Sequence, residues 1–139
     1  MSFENGIDTW MVFEVLAKEE EAASDSLESH VEGLGALESV EIDDKDFDEV
    51  KEVENPHPSI EKGFSQVCEV RCSIDSFPSL IEIVMNYGPT MIEVEGPDKL
   101  ELDLSETQEA ANLVAEMMQK FMNAGIGGMM VAGPDKKQQ

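Results

Sequence analysis

Along this chain the apolar residues alternate, change to a helical period and alternate again, and each change of period predicts an element. Thr9-Trp-Met-Val-Phe-Glu-Val-Leu16 reads as a first strand, with Met11, Phe13 and Val15 on one face and Trp10, Val12 and Leu16 on the other. A strand apolar on both faces belongs in the middle of a sheet. Ala23, Leu27, Val31 and Leu34 then recur at helical spacing, which predicts a helix over Glu19 to Leu34 with glutamates on its other side. Glu19, Glu20 and Glu21 suit the positive end of that helix, and Gly33 and Gly35 mark its close. Leu37, Val40 and Ile42 open a second strand.

From Asp43 to Lys62 the pattern fades into an acidic run followed by the breaker cluster Asn55-Pro-His-Pro-Ser59. This predicts an irregular, exposed loop over residues 43–62. Ser65 to Ile74 alternates again, placing Cys68, Val70, Cys72 and Ile74 on one face of a strand. Ser76-Phe-Pro opens a second helix carrying Phe77, Leu80, Ile81, Val84 and Met85, with Gly88-Pro89 as its stop. Ser79 with Glu82 competes as a capping box slightly later. Thr90 to Glu95 reads as a short strand and Gly96-Pro-Asp98 as a turn. Leu100, Leu102 and Leu104, alternating with Glu101 and Asp103, predict a further strand at an edge. Ser105 with Gln108 fits a capping box for a last helix to Asn123, apolar at Ala110, Leu113, Val114, Met117 and Phe121 and capped by Gly125.

Written in order the elements are β-α-β-β-α-β, then a short strand and a C-terminal helix, which predicts an α+β fold of the ferredoxin-like split βαβ type. Two helices would cover one face of the sheet. Trp10 and the doubly apolar first strand imply cover on the second face too, from the C-terminal helix or from a second copy of the chain. Residues 1–124 are expected to form this single domain, and residues 125–139 a Gly- and Met-rich, then charged, flexible tail.

Charge changes the picture of partners more than the picture of the fold. Among 139 residues, 31 are acidic and 9 basic, a formal net charge of -22. Residues 1–60 carry 18 of the acids against 3 basic residues. No basic stripe interrupts this field, so nucleic acid and anionic membrane surfaces are both disfavoured partners. No apolar run approaches the roughly 18 residues that span a bilayer, and no leader pattern opens the chain, which points to the cytoplasm. Solvation or moderate salt adaptation accounts for a carboxylate-rich surface, while eight lysines argue against extreme halophily.

Candidate chemistry is thin. Cys68 and Cys72, four apart on one strand, are about 13 Å apart by strand rise, too far for a disulfide, and read as buried free thiols. Neither His30 nor His57 stands at a zinc-ligand spacing from them, so no metal site is expected. Asp44-Lys-Asp-Phe-Asp48 starts like a calcium loop, but Glu49 stands where the turn requires glycine and Asn55 where a bidentate glutamate should close the cage. Gly125-Ile-Gly-Gly128 follows a helix rather than a strand, the wrong order for a phosphate cradle. No catalytic residue and no cofactor is expected. The residues singled out as ligand or partner contacts are His57 between two prolines, Asn86 and Tyr87 at a helix-strand corner, and Met117 and Phe121 on the last helix. Met117, Met118, Met122, Met129 and Met130 add either core packing or an adaptable gripping surface.

Through Trp10-Met-Val-Phe-Glu-Val15, Glu54-Asn-Pro-His-Pro58, Asn86-Tyr-Gly-Pro89 and the helix start at Ser105 to Gln108, the chain is similar to a family of small uncharacterised archaeal proteins. The resemblance spans most of the domain and implies an archaeal cytoplasm; it carries no activity and no site residues. The expected function is a non-enzymatic interaction or assembly module that associates with itself or with another protein. A small-ligand sensor and an acidic mimic of nucleic acid that blocks a basic protein are the alternatives.

Overall fold

The computed structural model describes Phe3 and residues 5–125. The chain divides into two compact units, residues 1–101 and 102–139. The first unit holds β1 (Ile7–Ala17), α1 (Glu20–Gly35), β2 (Val40–Phe47), β3 (Lys51–His57), β4 (Ile60–Ile74), α2 (Phe77–Tyr87) and β5 (Met91–Gly96). Its strands form one antiparallel sheet in the order β2-β4-β1-β5, with β3 also paired to β4. The α+β class expected from the sequence is therefore observed.

The two central strands carry the core. β1 and β4 pair along their length, from Ile7 opposite Ile74 to Ala17 opposite Phe64. Side chains alternate along a strand, so Ile7, Met11 and Phe13 share one face with Cys68, Val70, Cys72 and Ile74. All seven are buried, together with Leu27, Val31 and Leu34 of α1 and Leu80 and Ile83 of α2. Each such aliphatic or aromatic burial stabilises the fold by about 1.5–3 kcal/mol before the cost of ordering the chain. α1 buries Ala23, Leu27, Val31 and Leu34, the row its sequence spacing predicts. It has no side-chain N-cap bond, and Glu20 and Glu21 in its first turn offset the exposed amide dipoles instead.

α2 begins as its sequence requires. Ser76 is the N-cap, its Oγ accepting from the Ser79 amide at 3.3 Å, and Pro78 occupies the first turn where no amide is missed. The competing cap at Ser79 is not used. Gly88, left-handed at φ 54°, closes the helix by donating its N–H to the Val84 carbonyl at 3.1 Å.

Residues 43–62 depart from expectation. Instead of a loop they form most of β2, all of β3 and the start of β4, so that residues 40–57 run back along β4 as one interrupted edge. The register slips between Ile42 and Asp44 and again between Glu54 and His57, where Asn55 takes φ 50° and Pro56 follows. Each slip breaks the period-two pattern, and the charges and proline are residues that edge strands tolerate. Beyond Phe64 the β3–β4 pair extends past the end of β1. Gly63 permits this close approach, because a Cβ there would lie 2.9 Å from Pro56 Cγ and 3.3 Å from the Ala17 carbonyl oxygen.

The second unit contains α3 (Leu104–Asn123). The edge strand expected at Leu100, Leu102 and Leu104 does not form: residues 99–103 are not in a strand and Leu104 is the first helical residue. The helix is opened by a capping box two residues earlier than expected. The Glu106 amide donates to Asp103 Oδ1 at 2.8 Å and the Asp103 amide to Glu106 Oε1 at 3.3 Å. Asp103-x-x-Glu106 and Ser105-x-x-Gln108 have the same spacing, but the former sets two carboxylates at the positive helix end. The tail expected beyond residue 125 lies outside the described residues.

Candidate functional site

Two places in the first unit concentrate groups that could meet a ligand or partner: a corner between α1 and α2, and the sheet side that ends in β5. At the corner, α2 ends with Asn86 and Tyr87, and both line a cavity of about 310 Å³ with Leu37, Ser39, Glu82 and Ile83. The amide and the aromatic predicted to converge at a helix-strand junction therefore share one cavity. His30 of α1 joins them from behind. Its Nε2 lies 2.8 Å from the Tyr87 carbonyl oxygen, and its ring sits between those of Phe13 (5.3 Å, edge-on) and Tyr87 (5.1 Å, tilted). The hydrogen bond calls for a proton on Nε2, since a carbonyl can only accept. A smaller cavity of about 140 Å³ is lined by Phe13, Glu14, Ser26, His30, Tyr87 and Gly88 among others.

The remaining predicted contacts belong to other elements. His57 ends β3 opposite Ile60, and its side chain lies outside the described residues. Met117 and Phe121 belong to α3 in the second unit, on a helix whose Leu104, Val114, Met118 and Phe121 are exposed. Met129 and Met130 lie outside the described residues.

The sheet side is the second face that Trp10 and the doubly apolar first strand pointed to, though β5 was not singled out in the sequence. On the face opposite α1 and α2, β1 presents Trp10, Val12, Glu14 and Leu16, and β4 presents Ser65, Val67, Glu69 and Arg71 beside them. Met91 and Glu93 of β5 share this face through their pairing with Val12 and Trp10. Trp10 Nε1 donates to Glu69 Oε1 at 3.0 Å, and Arg71 Nη1 donates to both oxygens of Glu95 at 2.6 and 2.5 Å. Those bonds to Glu95 and the nearby carboxylates of Glu69 and Glu93 push the guanidinium pKa still higher. The face is thus an aromatic and aliphatic centre among carboxylates.

β5 itself is one outer strand of the sheet, and its apolar residues are exposed: Met91 by 57%, Ile92 by 40% and Val94 by 51%. Ile92 and Val94 pair with Met11 and Thr9, so they lie on the helix-bearing face. The alternation Ile92-Glu-Val-Glu95 was the available sequence signal, but position at an edge is a property of strand order and not of the strand's own residues.

The thiols are poor nucleophiles. Burial pushes the Cys68 pKa up to about 11, opposed only in part by the Asp46 backbone and the Lys45 charge. Burial raises the Cys72 pKa also, and the Thr9 hydroxyl at 3.3 Å counters it in part. Both cysteines are free. Among the described residues no three His, Cys, Asp or Glu side chains are grouped to hold a metal ion, and no helix is long and apolar enough to cross a membrane.

The chain belongs to the MJ0538 family, named after an archaeal protein, whose sequence profile matches residues 8–138. No known activity is attached to the family. Among curated proteins and among solved structures nothing matches the chain.

Proposed function

We propose that the chain is a protein-interaction module without catalysis, cytoplasmic, and that it binds through the β5 edge of its sheet. The observation that carries this reading is the exposure of Met91, Ile92 and Val94 on a strand whose outer side has no strand partner among the described residues. An open edge is a template for another strand, and exposed apolar residues on it gain from being covered. The strand order supports taking the fold as ferredoxin-like, since β4 lies between β2 and β1, β1 lies between β4 and β5, and α1 and α2 each cross over one strand. β3 is then the addition to that plan. Size-exclusion chromatography with light scattering, run over a dilution series, tests the reading against the double variant Ile92→Lys/Val94→Lys. An assembly, or a complex with a strand-forming peptide, that the double variant loses is the expected result. A wild-type chain that stays monomeric and takes up no such peptide overturns it.

A second reading, a small-ligand sensor, is favoured by the cavity in which Asn86, Tyr87, Ser39 and Glu82 meet over an apolar floor of Leu37 and Ile83. Binding there would raise the thermal midpoint, because a ligand that binds only the folded chain stabilises it. A thermal-shift screen of metabolites that leaves the midpoint unmoved removes this reading.

A further inference from the structure

We infer that the partner of β5 is an extended segment of another protein in which basic and apolar side chains alternate. This rests on the reading of the chain as an interaction module and names the chemistry of what it binds. The register sorts β5 into two rows: Ile92 and Val94 on the helix-bearing face, and Met91, Glu93 and Glu95 on the other. A strand added outside β5 must alternate in the same way. Its residues beside Ile92 and Val94 gain by being apolar, and one beside Glu93 gains by being cationic, since opposite charges across a strand pair attract, whereas Glu95 is already held by Arg71.

A second copy of this chain fits the edge poorly. Pairing β5 with itself would set Glu93 against the acidic row of the other copy, and like charges facing each other across strands destabilise the pair. Each copy would also bring a formal charge of -22 to the other. The same field that repels a copy accelerates the approach of a basic segment. The far edge attracts such a segment by charge but offers it no regular ladder, because β2 and β3 are interrupted at 48–50 and slip register twice.

Fluorescence anisotropy with a labelled peptide of alternating Lys and Val tests the inference, beside a Glu-Val peptide and two Lys-Val peptides N-methylated along one or the other backbone edge. The Lys-Val peptide is expected to bind at low salt and the Glu-Val peptide not to bind. Methylation along one edge should abolish binding, and methylation along the other should leave it, because a strand docks through one edge only. Ile92→Lys/Val94→Lys should weaken binding by about tenfold or more, since like charge replaces apolar contact. Glu93→Gln, which adds no bulk, should weaken it less and reduce its salt dependence. Asp44→Asn/Asp46→Asn on the far edge should leave it nearly unchanged.

No binding of the Lys-Val peptide overturns the inference, as does equal binding of both methylated peptides, which would show charge attraction without strand addition. A loss at Asp44→Asn/Asp46→Asn as large as at the β5 variants overturns it too. If the Lys-Val peptide fails while light scattering shows an assembly that Ile92→Lys/Val94→Lys dissolves, the interaction module stands and only the basic partner falls. If neither is seen, both fall.

Discussion

The two edges of this sheet are built on opposite principles. The β2–β3 edge carries Asp43, Asp44, Asp46, Glu52 and Glu54, slips register twice and includes Pro56. These are the devices by which edge strands are kept from pairing with other chains. β5 has a single register shift, near its end, and exposes Met91, Ile92 and Val94. The contrast teaches that two edges of one sheet can be built differently: carboxylates, register slips and a proline mark one, and exposed apolar residues alternating with Glu93 and Glu95 mark the other. Both edges hang on the same two central strands, so they can be separated by experiment.

The severest test removes what they share. Phe13 is buried in β1 and packs between β4, α1 and His30. Phe13→Ala should cost about 3–5 kcal/mol, read as a lower urea midpoint, and should speed hydrogen exchange at both edges together. Faster exchange at one edge alone would mean that the edges do not depend on a common core.

A milder change should separate them. Ser76→Ala removes the cap of the helix that feeds β5, at a cost of about 1 kcal/mol. Hydrogen exchange is expected to quicken in α2 and β5 while the β2–β3 edge keeps its rates. Equal loosening at both would break the comparison.

Alkaline titration probes the β2 side, since Cys68 lies between Phe13 and Phe47 in the register. Its pKa is raised from 9.0 to about 11 in the folded chain, so the fold holds its proton more tightly than the unfolded chain does. The stability this confers is complete below pH about 9 and is lost as pH rises through about 11. Cys72 acts in the same direction. Unfolding midpoints should therefore fall over this window less steeply in Cys68→Ala than in the wild-type chain; identical slopes would remove the thiol as the cause.

The smallest effect is expected from Glu95→Gln, which breaks the exposed pair that Arg71 makes across β1 to β5. Exposed ion pairs contribute little. The thermal midpoint should barely move, and a large drop would show that β5 is held by this pair rather than by its ladder with β1.

Much of this was legible without coordinates, and the limits have physical causes. Thr9 to Leu16, the Cys68 to Ile74 row, the row from Ala23 to Leu34, Ser76 and Gly88 all proved to hold the positions their local pattern required. Signals of this kind act within a few residues, through period, cap and turn. Residues 43–62 misled because a guarded edge strand is made from the same residues as a loop: acids, Asn55 and Pro56. Leu100, Leu102 and Leu104 misled in the opposite sense, since alternation alone makes no strand without a neighbour to pair with. At the corner, the sequence placed Asn86 and Tyr87 side by side but could not bring His30 to them from 57 residues away.

The sequence by itself determined an acidic α+β chain with its core rows, two of its helix starts' chemistry and its free thiols, because each follows from the order of neighbouring side chains. The tertiary structure alone decided which strands became edges. Strand order is set by long-range pairing across β4 and β1, and no residue of β5 or β2 records in its own neighbourhood which strand will stand beside it. That decision turns an ordinary alternation, Ile92-Glu-Val-Glu95, into the exposed edge on which the proposed function rests.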